Sequence, residues 1–160
     1  EAFDNLFRRY YAMLIQYGSK ICTDKNIVED AIQDLFIELW QSKAGTQVQS
    51  VKAYFLKALK YKLLKQLKKQ SLQSVDDSTD SNFQLSHDHF IIDREEESST
   101  VKKIVQAINQ LPARQKEIIY LKIYQALDYD EISEVMGINY QAARNLFYQS
   151  VKSLRQIITS

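Results

Sequence analysis

Turn-forming residues are scarce in this sequence, whose 160 residues include one proline and three glycines. A β-sandwich or β-barrel needs frequent turns, so this scarcity argues against both architectures. No run of eighteen apolar residues occurs and no signal peptide opens the chain, so we expect no membrane insertion. Cys22 has no second cysteine to pair with, which predicts a small core residue and a reducing, cytoplasmic location.

Helix-forming residues dominate what is present, chiefly Leu, Ile, Lys, Gln and Ala. Apolar residues at three- and four-residue steps predict three helices, over about 2–21, 24–42 and 50–70. Three amphipathic helices can form one small bundle, which predicts a first domain over residues 1–70. Further helical patterns, one of them starting at Leu111-Pro112, predict a second bundle over 98–160. We therefore predict an all-α fold of two small helical bundles.

Charge is distributed unevenly along the chain, although its net value is only +1. Seven lysines and no acid lie between Val51 and Gln73, whereas residues 76–97 hold eight acids and one arginine. Residues 71–97 are also rich in Ser, Asp and Gln, which predicts a flexible acidic linker between the bundles. His87 and His89 lie in this segment without further Cys or His nearby, so we predict no metal site and no cofactor.

The stretch from 127 to 151, LDYDEISEVMGINYQAARNLFYQSV, places one glycine between two short amphipathic runs. Asp128 and Glu131 have the spacing of an N-cap and its capping-box partner, and Gly137 can close the first helix in a left-handed conformation. Asn139 is a favourable N-cap for the second helix. Helix, glycine turn and helix make the helix-turn-helix pattern, whose second helix enters the major groove of DNA.

The outer face of that second helix carries residue types that contact DNA. Gln and Asn can pair with adenine edges and Arg with guanine, while Lys and Tyr suit phosphates. The predicted contacts of this recognition helix are Tyr140, Gln141, Arg144, Asn145, Tyr148 and Lys152. From this segment alone, an ordinary pair of helices with a solvated face stays open as the alternative.

Taken together, the two bundles resemble a sigma factor of the sigma-70 class, in the compact extracytoplasmic-function (ECF) group that has two domains. The family's promoter-melting domain opens with a helix similar to AFDNLFRRYYAMLIQYG and contains an acidic helix similar to EDAIQDLFIELW, residues 29–40. Its domain for the upstream promoter element follows the pattern of LPARQKEIIYLKIYQALDYDEISEVMGINYQAARNLF. The resemblance covers everything but the linker. It implies an RNA polymerase sigma factor that binds core polymerase and promoter DNA and directs transcription initiation.

The acidic helix carries the polymerase contacts that the resemblance implies. In the family, the polar edge of this helix docks on a coiled coil of the largest polymerase subunit. The residues carried over are Asp30, Gln33, Asp34 and Glu38. Without the resemblance, a solvated helix face would be the preferred interpretation of these acids. Trp40 is expected to anchor the core or its rim. The family is commonly held inactive by a membrane-linked anti-sigma factor, so an anti-sigma partner is also implied.

The third helix fits the capture of single-stranded promoter DNA. Its wheel predicts an inward stripe of Phe55, Leu56, Leu59, Leu63 and Leu67. Lysines attract phosphates regardless of sequence, and an exposed aromatic side chain can stack an unpaired base. The predicted single-strand contacts are Lys57, Lys60, Tyr61, Lys65 and Lys68.

The sequence departs from the family at three positions. Tyr61 stands where many relatives carry Asn, and Leu146 and Gln149 stand where relatives often have basic residues. These departures leave a second hypothesis, a degenerate sigma-like protein that binds polymerase or an inhibitor without specific promoter recognition. An enzyme is not expected, since the sequence has no Gly-rich phosphate loop and no nucleophile beside a base.

Overall fold

The computed structural model describes residues 2–42, 50–70 and 98–159, which contain seven α-helices and no strand. The helices are α1 (Ala2–Ile21), α2 (Lys25–Ser42), α3 (Val51–Gln70), α4 (Ser98–Asn109), α5 (Ala113–Ile119), α6 (Tyr129–Met136) and α7 (Tyr140–Thr159). A π-helical segment, Tyr120–Tyr124, continues α5. The chain divides into two compact units, one built on α1, α2 and α3 and the other on α4, α5 and α7. The predicted all-α fold is confirmed, while the predicted linker with His87 and His89 lies outside the described residues.

The core of the first unit is formed by one side of each of its three helices. It is built from Leu14, Tyr17, Ile32, Leu35, Phe36, Phe55, Leu56, Leu59 and Leu63, all nearly or fully buried. The rings of Phe36 and Phe55 meet with their centroids 5.1 Å apart, and Tyr10 approaches Phe55 at 5.2 Å. Each large apolar side chain buried in this way contributes about 1.5–3 kcal/mol to folding. The predicted inward stripe of α3 is therefore confirmed, except that Leu67 is only half-buried.

Gly18 allows α1 to approach α2 and α3 closely. A β-carbon at this position would lie 2.6 Å from Cγ1 of Val28 and 3.4 Å from side-chain atoms of Leu59 and Leu63. Because protein interiors are already close-packed, a side chain here would force the helices apart. Cys22 follows one turn later and is buried, as predicted for a small core residue.

Lys20 is a lysine inside this core, with only 1% of its surface exposed. Its Nζ donates a hydrogen bond of 2.8 Å to the carbonyl oxygen of Gln16. Burial disfavours the charged ammonium and lowers the pKa of Lys20 from its ordinary 10.5 to about 7. The sequence did not predict this arrangement, because a lysine on an amphipathic helix usually extends its charged end to water.

In the second unit, α7 packs across α5 and α4. On the inner face of α7, Ala143 is fully buried and Phe147, Val151 and Leu154 are half-buried. Ser150 is also fully buried, which the apolar pattern did not predict. Its hydroxyl donates a 2.6 Å hydrogen bond to the carbonyl oxygen of Leu146, so the buried polar group is satisfied within the helix.

Candidate nucleic-acid interface

The turn between α6 and α7 has the caps that the sequence predicts. Asp128 Oδ1 accepts the backbone N–H of Glu131 at 2.8 Å, and Glu131 Oε1 accepts the N–H of Asp128 at 3.0 Å. Gly137 ends α6 in the left-handed conformation, with φ 66° and ψ 37°. Asn139 then caps α7 by accepting the N–H of Ala142 at 2.7 Å. The predicted helix-turn-helix is confirmed, and its local geometry is set by these few hydrogen bonds.

Tyr129, the first residue of α6, joins the two helices of this motif through its ring. It meets the rings of Tyr140 and Phe147 of α7 edge-to-face, with centroid distances of 5.7 and 6.3 Å. The ammonium of Lys122 lies 4.4 Å from the centroid of the Tyr129 ring and donates to the carbonyl oxygen of Leu127 at 3.4 Å. A cation over an aromatic face contributes about 0.5–2 kcal/mol. These contacts hold the start of α7 against the chain that leaves α5.

The chain reaches α6 through an unusual wide turn. The N–H of Gln125 donates to the carbonyl of Tyr120, and the N–H of Leu127 donates to the carbonyl of Leu121, both at 3.0 Å. Between them Ala126 has φ 57°, in the left-handed region that glycine normally occupies. Inside the turn, Nε2 of Gln125 donates to the hydroxyl oxygen of Tyr120 at 2.8 Å. Burial raises the pKa of Tyr120, with the Gln125 hydrogen bond acting in the opposite direction.

The outer face of α7 presents all six predicted recognition residues to solvent. Tyr140 is 47% exposed and Tyr148 is 71% exposed. Nε2 of Gln141 donates to Oδ1 of Asn145 at 3.2 Å, which orients two amides on the surface. Arg144 lies between these amides in sequence and is exposed. Donors, acceptors and aromatic edges therefore share one helix face, as readout of a DNA major groove requires.

The outer face of α3 carries the predicted single-strand residues in two groups. Tyr61 is 73% exposed and lies on the same side of the helix as Lys57 and Lys68, both exposed. Lys65 is exposed but lines a groove against α2, and Lys60 is half-buried. Tyr61 with its two neighbouring lysines is thus an open surface on which an aromatic ring and positive charge occur together.

The outer face of α2 holds the predicted acidic set. Asp30, Gln33 and Asp34 are exposed, while Glu38 is exposed but bonded to the ammonium of Lys62 in α3. Ile37 follows Gln33 and Asp34 by one turn and is 52% exposed, so an apolar side chain lies within this polar face.

Trp40, near the end of α2, is 67% exposed. Of the two positions expected for Trp40, the core and its rim, the core position is therefore wrong. Its large apolar surface lies one turn beyond Ile37, on the outside of the helix.

Comparison with known families accounts for both units. The family model described as Sigma-70 region 2 matches residues 6–73, and the model described as Sigma-70, region 4 matches residues 102–154. The chain belongs to the sigma-70 family. It is an RNA polymerase sigma factor with the two-region organisation of the ECF group, as the sequence predicted. The region 4 match covers α6, the turn and α7 as far as residue 154, and the alternative of a degenerate interaction protein is not favoured.

Two known proteins are similar to this sigma factor. The RNA polymerase sigma factor SigV of Bacillus subtilis (strain 168) is 27% identical over 151 residues, covering 94% of this chain and 84% of SigV. The sigma factor RpoE of Bartonella quintana, solved in complex with the anti-sigma factor NepR, matches with a TM-score of 0.68 at 20% identity. That match covers 99% of this chain and 97% of RpoE, and it shows a shared fold.

Sequence reasoning about this sigma factor missed residues that act through tertiary contact. Lys122 and Tyr129 were not singled out, although an aromatic residue directly after an N-cap was a visible signal. Ile37 was also missed, although its spacing from Gln33 and Asp34 places it on the same helix face.

No described helix has the length and apolar character that crossing a membrane requires.

Proposed function

We propose that the two units of this sigma factor perform separate tasks. The first unit binds core RNA polymerase through α2 and holds an unpaired promoter strand on α3. The second unit places α7 in the major groove of the upstream promoter element. The observation that carries this proposal is the exposure of three different surfaces with the residue chemistry each task needs: acids on α2, tyrosine with lysines on α3, and amides with arginine on α7.

For polymerase docking, Asp30, Gln33 and Asp34 supply the polar contacts, and Ile37, one turn beyond Gln33 and Asp34, adds apolar area. Interfaces gain most of their affinity from a few desolvated anchors, so an exposed isoleucine surrounded by polar groups suits such a role. Glu38 contributes from the edge of this surface, where its ion pair with Lys62 fixes the carboxylate.

For strand capture, the ring of Tyr61 provides a platform on which an unpaired base can stack. Stacking of a base on an aromatic side chain is worth about 1–3 kcal/mol and tolerates any base. Lys57 and Lys68 flank the ring and attract the strand's phosphates, and Lys60 adds charge at the edge. Tyr61 therefore supports opening of the duplex by trapping separated bases, without a covalent step and without a cofactor.

For the upstream element, Arg144 and the paired amides of Gln141 and Asn145 read base edges. Tyr140, Tyr148 and Lys152 contact the phosphate backbone on either side. We also infer that the protein works in the cytoplasm, where polymerase and promoters are found. An anti-sigma factor is a further proposed partner, since the RpoE of similar fold was solved with one.

Run-off transcription with the cognate core polymerase tests this proposal. Promoters are first mapped in cells by crosslinking, and the purified chain is then added to core polymerase on those templates. The expected result is product that depends on both the chain and the mapped promoter. Binding to polymerase without a specific product would contradict the promoter-recognition part. Asp34→Arg is expected to abolish pull-down of core polymerase. If the variant pulls down as much polymerase as the wild-type chain, the docking surface is not on this face of α2.

A further inference from the structure

A polar groove of about 360 Å³ lies between α2 and α3 within the first unit. Its α2 wall carries the carboxylates of Asp30 and Asp34. Its α3 wall carries the ammonium groups of Lys62, Lys65 and Lys69. The lining is completed by Ile27, Ala31 and Gln66. The groove therefore has walls of opposite charge.

Most of these charges are available to a partner. Lys62 bonds to Glu38, which is not part of the lining. Within the ranges 2–42, 50–70 and 98–159, no salt bridge joins an acid of the α2 wall to a lysine of the α3 wall. Asp30, Asp34, Lys65 and Lys69 are all exposed. A partner that offers charges of both signs can therefore satisfy both walls at once.

A nucleic-acid strand is a poor occupant of this groove, because all its phosphates carry the same sign. A phosphate attracted to Lys65 or Lys69 would lie close to the carboxylates of the other wall. The repulsion within each such like-charge pair offsets the attraction that the lysines exert on the phosphate. A protein surface avoids this repulsion, since it can place a basic side chain near the acids and an acidic side chain near the lysines.

We infer that this groove is part of the polymerase-docking surface and binds a polymerase segment that presents both a basic and an acidic side chain. The inference rests on the proposed docking through α2, because Asp30 and Asp34 belong to that surface as well as to the groove. It assigns Lys65 to polymerase binding rather than to strand capture. It also adds Lys69, which was not among the predicted site residues.

Lys68 and Lys69 provide a matched pair for the test. They are adjacent on α3, carry the same charge and are both exposed. Successive residues of an α-helix point about 100° apart, so they serve different surfaces. Lys69 lines the groove, whereas Lys68 lies on the side of Tyr61.

The experiment compares Lys69→Glu with Lys68→Glu in the full chain. One assay measures affinity for core polymerase, and the other measures retention of a pre-melted promoter by holoenzyme formed at saturating sigma factor. Lys69→Glu is expected to weaken polymerase affinity about tenfold and to leave promoter retention unchanged. Lys68→Glu is expected to weaken promoter retention and to leave polymerase affinity unchanged. Circular dichroism checks that both variants fold. If Lys69→Glu does not fold, Lys69→Gln replaces it, and a smaller loss of polymerase affinity is expected.

Two results would overturn the inference while leaving the proposed function standing. One is equal affinity of the wild-type chain and the Lys69→Glu variant for core polymerase, when the wild-type chain does bind it. The other is loss of promoter retention by Lys69→Glu at full polymerase affinity, which would place the strand in the groove. If the wild-type chain itself did not bind polymerase, that result would contradict both the proposed function and this inference.

Discussion

The backbone of Gly18 lies against the side chain of Val28 so closely that a β-carbon would sit 2.6 Å from Cγ1 of Val28. Gly18→Ala gains up to about 1 kcal/mol in helix propensity but overpacks the contact at a cost of about 1–3 kcal/mol. We expect net destabilisation, measured by urea unfolding. Val28→Ala removes the clashing methyl groups, so the double variant should be more stable than the sum of the single changes predicts. Simple additivity would show that this contact does not determine the packing of α1 on α2.

The two left-handed residues, Ala126 in the turn before α6 and Gly137 at its end, should respond oppositely to substitution. Gly137→Ala places a β-carbon in a left-handed conformation and is expected to cost about 1 kcal/mol, although no atom lies within 4 Å of that carbon. Ala126→Gly relieves the same strain, so it should not destabilise the protein. Ala142→Gly, within α7, is the control and should lose about 1 kcal/mol. Thermal unfolding measures all three, and equal losses from both alanine-to-glycine changes would contradict the expected relief of strain.

Buried Lys20 should make stability depend on pH. Below pH 7 the side chain is protonated in both the folded and the unfolded chain, so the cost of burying the charge is fully present. Between its folded pKa of about 7 and its ordinary 10.5, the unfolded chain binds more protons, so stability rises with pH.

Lys20→Met should therefore stabilise the protein most below pH 7. Its advantage should shrink at higher pH by at most about 1.4 kcal/mol per pH unit. Urea unfolding of both proteins across this range measures the difference. A constant gap between them would show that Lys20 does not change its protonation on folding.

Arg144 should contribute to promoter choice through its position on α7. Replacing it by Ala should cost about 1–3 kcal/mol in upstream-element binding and relax the preference at one base pair. Gln156→Ala, also exposed on α7 but twelve residues beyond Arg144 towards the end of the helix, is the matched control. Transcription from promoters with single-base changes provides the measurement. Unchanged preference in Arg144→Ala would exclude a base contact.

Lys122 should affect DNA recognition through Tyr129 rather than by touching DNA. Lys122→Met is expected to reduce discrimination between promoters while leaving the salt dependence of binding unchanged. A direct phosphate contact would instead lower the salt slope by about 1. Tyr129→Phe keeps the ring and should resemble wild type, whereas Tyr129→Leu should reproduce the Lys122→Met effect. A reduced salt slope in Lys122→Met would identify a phosphate contact.

Local sequence signals predicted the parts of the structure that depend on neighbouring residues. The capping box of Asp128 and Glu131, the left-handed Gly137 and the Asn139 cap each involve atoms within a few positions of one another. The inward stripe of α3 was predictable for the same reason, since it follows from helical periodicity.

Features that depend on distant residues were not predictable in this way. Gly18 is required because of Val28, and nothing in the sequence around it reveals that approach. The charged groove exists only because Asp30 and Lys69 come from helices that pack together. The wide turn after α5 was missed because its left-handed position holds Ala126 instead of a glycine.

The contact of Lys122 with Tyr129 also determines where this protein can be recombined with others. A chimera joined at Asp128 would receive α6 and α7 without the cation that covers the tyrosine ring. A junction placed before Ser98 would carry α4 and α5, which both pack on α7, together with the π-helical segment and the recognition helix as one transferable module.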